Sequence, residues 1–316
     1  MIKNKKSFIV GIKGKKLNRK EINFLKKYKP WGIILFSRNI NSIKQTKNLT
    51  DHIKRIFKDK NYPIMIDEEG GKVSRLKKII DTSLFSHKFF GEMYIKDNKR
   101  FNLYFVTYVK QLSYVLTLLG ININTVPVLD VIRKFSSRVL KHRCYSSNPK
   151  IVSKLGNLCI ETFNKYGIAT VIKHIPGHGP SRKDSHFEVP IVNDKISKLK
   201  KIDFIPFKKK KSYLAMTAHV VYTSIDKFNT ATHSKKVIKL IRDNIGFKNI
   251  IMSDDISMRA LKFSLKENTI KAFTAGCNLV LHCNGNLKEM TIVAKNSPPI
   301  NDFIRKKNAN LNKLFI

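Results

Sequence analysis

Eight short apolar runs, rich in β-branched residues, alternate along the chain with longer segments of helical periodicity. The apolar runs are Ser7–Gly11, Gly32–Phe36, Tyr62–Ile66, Ile121–Leu129, Ile168–Ile172, Ser212–Thr217, Asn249–Met252 and Cys277–Leu281. The helical segments are Asn41–Phe57, Phe101–Leu119, Pro149–Tyr166, Ser234–Ile245 and Leu265–Ala275. Continuous apolar runs are typical of parallel strands that are covered on both faces. This alternation therefore predicts an α/β protein with a closed (β/α)8 barrel.

A single catalytic domain, residues 1–316, is expected, because the barrel needs roughly 250 residues and no linker or repeat divides the chain. Hydrophobic residues make up 42% of the sequence, which is enough for a packed core. No apolar run is long enough to span a membrane. The basic N-terminus leads into only a short apolar stretch, Phe8–Val10, so we expect no signal peptide and a cytoplasmic location.

The four cysteines, Cys144, Cys159, Cys277 and Cys283, form no C-x-x-C pair. Their number is low for a disulfide-stabilised fold of this length. The sequence therefore predicts neither a disulfide framework nor a structural zinc site, which agrees with a reducing compartment.

The chain is strongly basic, with 62 Lys and Arg residues against 22 Asp and Glu residues and a formal charge of +40. Such a charge is typical of nucleic-acid-binding proteins. The lysines are nevertheless spread over the whole chain, and the richest run, Lys208–Lys211, lacks the interleaved aromatic residues that stack on bases. Lysine also accompanies abundant Asn and Ile, which A+T-rich codons encode. We therefore favour a compositional origin, with no specific nucleic-acid partner and only non-specific attraction to polyanions.

Polar clusters follow five of the apolar runs at the point where each run ends. They are Asp67–Gly71, Asp130, Lys173-His174, Ala218-His219 and Asp254-Asp255. The carboxyl ends of barrel strands converge on one mouth, which is where such folds carry their catalytic groups. The sequence therefore predicts a catalytic site at this end of the barrel.

A long loop is predicted after the fifth run, because Pro176, Gly177 and Gly179 prevent a continuing helix. Its end carries Asp184 close to His186. A carboxylate beside an imidazole fixes the tautomer and raises the basicity of the histidine, which suits general acid and base catalysis near neutral pH. No cysteine or carboxylate completes an obvious metal site with the nearby histidines, so we expect no metal ion.

Two adjacent acids, Asp254 and Asp255, follow the seventh run. Successive residues that leave a strand point in opposite directions, so one acid can cap the following turn while the other faces the barrel mouth. The inward acid is a candidate nucleophile or metal ligand. Asp67 is expected at the same rim, before a turn at Gly70 and Gly71.

Seven motifs, in this order, resemble those of family 3 glycoside hydrolases: Asp67–Arg75, Pro127–Val131, Arg143–Pro149, Lys173–Gly179, Asp184–His186, Met216–Val220 and Ser253–Met258. Together they are similar to the bacterial β-N-acetylhexosaminidase branch, the cytoplasmic enzymes of peptidoglycan recycling. The similar span runs from about Trp31 to Gly285. The (β/α)8 fold of that family agrees with the fold predicted from the apolar runs.

The resemblance implies hydrolysis with retention of configuration through a covalent glycosyl-enzyme. Asp254 matches the nucleophile, and His186 matches the acid/base, with Asp184 tuning it. The histidine replaces one of the usual two carboxylates of a retaining enzyme. The residues that match the binding site for N-acetylglucosamine are Asp67, Arg75, Arg143, Lys173 and His174.

Three functions remain open at this point. The first is an exo-acting β-N-acetylglucosaminidase that releases terminal N-acetylglucosamine from peptidoglycan fragments such as N-acetylglucosaminyl-1,6-anhydro-N-acetylmuramoyl peptides, without metal or organic cofactor. The second is a phosphorylase with the same site, since a histidine repels incoming phosphate less than a carboxylate does. The third is an inactive barrel that binds polyanions, although the complete catalytic set counts against it. The oligomeric state is open, with a monomer expected.

Overall fold

The computed structural model describes residues 5–181 and 188–315. The strands are β1 (Lys6–Gly11), β2 (Pro30–Leu35), β3 (Ile64–Ile66), β4 (Ile123–Asn124), β5 (Ala169–Ile175), β6 (Ile191–Val192), β7 (Leu214–Thr217), β8 (Val221–Tyr222), β9 (Ile250–Asp255) and β10 (Leu279–His282). The helices are α1 (Arg19–Tyr28), α2 (Ile43–Phe57), α3 (His87–Lys96), α4 (Asn98–Leu118), α5 (Arg138–Lys141), α6 (Pro149–Lys165), α7 (Ile196–Lys201), α8 (Lys235–Leu240), α9 (Leu265–Ala275), α10 (Leu287–Asn296) and α11 (Asp302–Asn312).

Eight of the strands close into a parallel barrel in the order β1-β10-β9-β7-β5-β4-β3-β2. The closure joins β1 to β10, with Phe8 beside Val280, and β1 to β2, with Val10 beside Ile33. The predicted (β/α)8 barrel is therefore confirmed. The two remaining strands, β6 and β8, pair in parallel as a small separate sheet.

Each barrel strand is buried on both faces, which explains why the apolar runs lack alternation. Residues such as Ile9, Val171 and Met252 fill the barrel interior. Their neighbours along the strands, such as Phe8 and Ile172, pack outward in a second core beneath the helices. Full burial of one such side chain contributes roughly 1.5–3 kcal/mol to folding.

Local sequence signals set the ends of the best-predicted helices. Helix α6 begins at Pro149 because proline is tolerated in the first turn, and the Oδ1 atom of Asn148 accepts a hydrogen bond from the backbone N–H of Lys150 at 2.9 Å. Helix α9 begins with a reciprocal capping box between Ser264 and Glu267. All four cysteines are free thiols. Across residues 5–181 and 188–315, no helix combines the length and the apolar character required to cross a membrane.

The fourth strand is much shorter than predicted. The apolar run Ile121–Leu129 contains only the two-residue strand β4, which ends at Asn124. The backbone N–H of Val126 donates to the carbonyl of Asn124 at 2.9 Å rather than to a neighbouring strand, and Pro127 has no N–H group. Beyond Pro127 the chain rejoins β5 through a single bridge, in which the backbone N–H of Leu129 donates to the carbonyl of Lys173 at 2.7 Å. Asp130 is thereby brought next to the end of β5.

Candidate active site

A pocket opens at the carboxyl end of the barrel strands. Its walls differ in character: charged side chains come from the β3 and β5 side, whereas Phe36, Met216 and Leu281 form an apolar side. The predicted site residues that line this pocket are Asp67, Arg143, Lys173, His174 and Asp254. Arg75 reaches the same group through its ion pair with Asp67.

Asp67 is held at the pocket by two cations. Its Oδ1 atom contacts the ammonium of Lys173, and its Oδ2 atom accepts a hydrogen bond from Nη2 of Arg75 at 3.0 Å. The Oγ1 atom of Thr125 also donates to Asp67 and lies 3.0 Å from the Lys173 ammonium. Burial alone would raise the pKa of Asp67, but Lys173 and Arg75 outweigh burial and hold that pKa well below its ordinary value. The carboxylate is therefore ionised at neutral pH.

Glu69 forms the deepest part of this charged wall. Its carboxylate accepts two parallel hydrogen bonds from Arg143, both at 2.8 Å, and lies 2.6 Å from the Lys173 ammonium. The side chain is 1% exposed. Burial would raise the pKa of Glu69, but the charges of Arg143 and Lys173 lower it to about 2. Lys173 thus bridges Asp67 and Glu69, and their charges fix its position.

His174 is oriented by a buried carboxylate. Nδ1 of His174 lies 2.7 Å from Oδ2 of Asp130, while Oδ1 of Asp130 accepts the backbone N–H of His178 at 2.6 Å. This contact places the Nδ1 proton toward Asp130 and leaves Nε2 3.4 Å from the Arg143 guanidinium. Burial lowers the pKa of His178 to about 4, so its imidazole is neutral at neutral pH.

The two acids after β9 occupy different environments. Asp254 lines the pocket, and its Oδ1 atom accepts the backbone N–H of Asp255 at 2.8 Å. Burial would raise the pKa of Asp254, but nearby His219 and His174 outweigh it and lower that pKa. Asp255 instead caps the following turn, where its Oδ1 atom accepts the backbone N–H of Ser257 at 3.0 Å. An ionised carboxylate therefore faces the pocket.

Asp184 and His186, the predicted acid/base pair, lie outside the described residues. The chain is anchored on either side of them. The carbonyl of Gly177 accepts the Tyr222 hydroxyl at 2.6 Å, and the carbonyl of Pro190 accepts the backbone N–H of Val221 at 2.9 Å. Both anchors belong to the segment at β8, beyond the carboxyl end of β7.

Sequence reasoning did not select several residues that the structure places at the site. Glu69 and Asp130 belong to polar clusters that the sequence predicted at the barrel mouth, but neither was given a role there. Thr125 carried none, because a single threonine inside an apolar run is typical of any strand. Within the two described ranges, no three His, Cys, Asp or Glu side chains are grouped so as to hold a metal ion.

Comparison with known proteins places this site in a family. The profile of the glycosyl hydrolase family 3 N terminal domain matches residues 2–303. The chain belongs to glycosyl hydrolase family 3. The resemblance identified from the seven motifs is thereby confirmed.

Two curated relatives carry related names. A beta-hexosaminidase of Nitrosospira multiformis is 31% identical over 285 residues, which cover 87% of this chain and 80% of the relative. Beta-hexosaminidase A of Pseudoalteromonas piscicida is 29% identical over 279 residues, 81% of this chain. The matched region makes up only 46% of that second relative, so this chain spans less than half of its length.

Two solved structures are similar along nearly the whole chain. NagZ from Neisseria gonorrhoeae in complex with zinc ion has a TM-score of 0.86 and 27% identity, and the match covers 98% of this chain and 90% of NagZ. A glycoside hydrolase family 3 beta-N-acetylglucosaminidase from Paenibacillus sp. str. FPU-7 has a TM-score of 0.83 and 24% identity. That match covers 97% of this chain and 60% of the other protein, and it supports the fold alone.

Proposed function

We propose that the chain is an exo-acting β-N-acetylglucosaminidase that hydrolyses terminal N-acetylglucosamine with retention of configuration. The observation that carries this proposal is the position of ionised Asp254 in a pocket whose opposite wall is a buried, fully ion-paired set of charged groups. The β-hexosaminidase names of the relatives support the same reaction class. Peptidoglycan fragments are the proposed natural substrate, and the cytoplasm the proposed location.

The charged wall supplies the hydrogen bonds that orient a sugar ring. Asp67 accepts hydrogen bonds from sugar hydroxyl groups, while Arg143 and Lys173 donate hydrogen bonds to hydroxyl and amide oxygens. These groups are already fixed by their ion pairs, so little side-chain freedom is lost when the sugar binds. Burial of the wall also limits competition by water, which strengthens each polar contact with the substrate.

The reaction proceeds in two displacements. In the first, a carboxylate oxygen of Asp254 bonds to the anomeric carbon while the bond to the leaving oxygen breaks, and His186 gives its proton to that oxygen. In the second, water bonds to the same carbon, His186 removes a proton from this water, and the ester bond to Asp254 breaks. The two inversions return the starting configuration and regenerate the carboxylate.

Water is favoured over phosphate as the acceptor. Among the described residues, the three cations of the pocket are already paired: Arg75 with Asp67, Arg143 with Glu69, and Lys173 with both carboxylates. Adding a phosphate dianion to this balanced set gains little attraction, because each of these cations already faces a carboxylate. Neutral water needs no additional cation.

The test is the release of p-nitrophenol from p-nitrophenyl N-acetyl-β-glucosaminide, with and without phosphate. We expect release without phosphate, and proton NMR should detect the β-anomer of free N-acetylglucosamine first. The Asp254→Asn variant should lose turnover and keep its unfolding transition, because the substitution conserves shape. An α-anomer as first product would contradict retention, a sugar 1-phosphate would indicate a phosphorylase, and an active Asp254→Asn variant would refute the nucleophile assignment.

A further inference from the structure

A second concavity lies between the segment after β1 and helix α2, and it extends along α2 from Lys44 to Arg55. We call it the cationic groove; it has a volume of about 590 Å³. Lys15 and Lys16 contribute from the segment after β1, and Lys44 and Arg55 contribute from α2. Among the lining residues that the structure describes, none is Asp or Glu. The groove therefore concentrates positive charge without a counter-charge.

The spacing of residues along α2 explains why its cations face the groove and its acid does not. Lys44, Asn48, His52 and Arg55 recur at helical spacing and lie on the face toward the groove. Asp51 is the only acid in α2, and it forms an ion pair with Lys47 on the neighbouring face. The Asp51 carboxylate therefore neutralises Lys47 and does not line the groove.

Asn41 extends the positive region toward the catalytic pocket. Its Oδ1 atom accepts hydrogen bonds from the ammonium groups of both Lys15, at 3.1 Å, and Lys78, at 3.4 Å. Two cations therefore converge on one neutral oxygen. Lys78 follows Arg75 in the segment after β3, so the cationic groove and the pocket are linked by one short stretch of chain.

The size and composition of the cationic groove restrict its ligand. Lys44 and Arg55 are eleven residues apart, which is about 16 Å along a helix. A single small anion cannot reach all of the cations, whereas a linear polymer with regularly spaced charges can. No Phe, Tyr or Trp is found among the described lining residues, so bases have no stacking partner. Lysine binds phosphate as a point charge, and the planar fork of Arg55 matches a phosphate group as well as a carboxylate.

We propose that the cationic groove binds a linear phosphate polymer without bases, through its phosphate groups. The ligand class follows from three observations: the spread of cations along α2, the lack of lining carboxylates and the lack of lining aromatic residues. Binding of this polymer holds the enzyme with its catalytic pocket near the polymer surface, and it is independent of the hydrolytic reaction.

The test compares two variants that each lose four positive charges. The groove variant carries Lys15→Gln, Lys16→Gln, Lys44→Gln and Arg55→Gln. The matched control carries Lys99→Gln, Lys110→Gln, Lys266→Gln and Lys306→Gln, all at exposed positions outside the groove. Fluorescence anisotropy with an end-labelled inorganic polyphosphate gives Kd over a range of salt concentrations. Circular dichroism and thermal unfolding check the fold of both variants without reference to activity.

We expect the groove variant to lose about a hundredfold or more in affinity at 0.1 M salt, with the slope of log Kd against log salt reduced by about three. The control variant should stay within about threefold of the wild-type Kd. Equal losses in both variants would overturn the proposal, because binding would then depend on net charge alone. Tighter binding of single-stranded DNA than of polyphosphate, or equal binding of polyglutamate, would overturn the assigned ligand class.

Discussion

Replacing Glu69 with glutamine removes one negative charge from the buried wall of the pocket and leaves its shape unchanged. The Lys173 ammonium then keeps its ion pair with Asp67, whereas the Arg143 guanidinium loses the carboxylate that accepts its two hydrogen bonds. Breaking a buried ion pair by removing one partner costs about 3–5 kcal/mol, because the remaining charge is left uncompensated. We therefore expect Glu69→Gln to lower the free energy of unfolding substantially.

The pKa of Glu69 gives an independent magnitude. Arg143 and Lys173 overcome the effect of burial and lower this pKa from its ordinary 4.5 to about 2. A shift of this size corresponds to about 3 kcal/mol of stability at neutral pH. Because the folded-state pKa lies below the unfolded-state value, this stability is present above about pH 4.5 and is lost as the pH falls toward 2. The cost of breaking the buried ion pair and the stability calculated from the pKa of Glu69 therefore agree at about 3 kcal/mol.

Urea denaturation of both proteins, followed by circular dichroism, measures the difference. We expect Glu69→Gln to be less stable than the wild type by about 3 kcal/mol at pH 7, with the difference narrowing as the pH falls below about 5. The matched control is Glu92→Gln, because Glu92 is 65% exposed and pairs with Lys88 at 3.6 Å on one helix. That control should change stability by less than about 0.5 kcal/mol.

A loss below about 1 kcal/mol in Glu69→Gln, or a loss that does not depend on pH, would refute this reasoning. Either result would mean that the Arg143 and Lys173 charges are compensated without Glu69. The buried wall would then contribute less to folding than its ion pairs indicate.

Two further predictions concern buried carboxylates near the pocket. Asp130→Asn should lower kcat/KM for the p-nitrophenyl substrate by about 10–100-fold, since His174 loses a hydrogen bond to a charged group and its fixed tautomer; wild-type kinetics would show that the tautomer does not matter. Burial, opposed by Arg133, raises the pKa of Asp203 to about 7. Its folded state therefore favours the protonated carboxyl, and this stability is lost as the pH rises from about 4 to 7. The Asp203→Asn variant should therefore become more stable relative to the wild type as the pH rises from about 4 to 7. Urea denaturation at several pH values measures this difference. A difference that stays constant with pH would contradict the prediction.

The barrel was predictable because burial on both faces leaves a strong local signal, a short continuous apolar run. The same signal misled at Ile121–Leu129, where the run continues past the end of the strand at Asn124. Helix α1 was not predicted, although it carries local signals. Asn18 and Glu21 form a capping box at its start, and its apolar residues recur at helical spacing.

The site was predictable to the extent that parallel strands deliver their following residues to one mouth. Which side chains pair there was not predictable, because partners such as Glu69 and Arg143 are 74 residues apart in sequence. Asp254 and Asp255 illustrate the difference. Their position at the pocket follows from the strand, whereas the capping of the turn by Asp255 depends on the local backbone path after β9.

Because strand β4 is short, the ion pairs of Lys173 with Asp67 and Glu69 have a structural role in the barrel. Only two residues of β4 pair with β3, and only two pair with β5, so the seam on either side of β4 is short. Lys173 extends from β5 across this seam to Asp67 and Glu69, which follow β3. Side chains thus supplement the short backbone ladder, and the groups proposed to bind the sugar also connect β5 to the segment after β3. Evolution of a new substrate preference in this wall is therefore constrained by folding, and changes of charge there have to occur as compensated pairs.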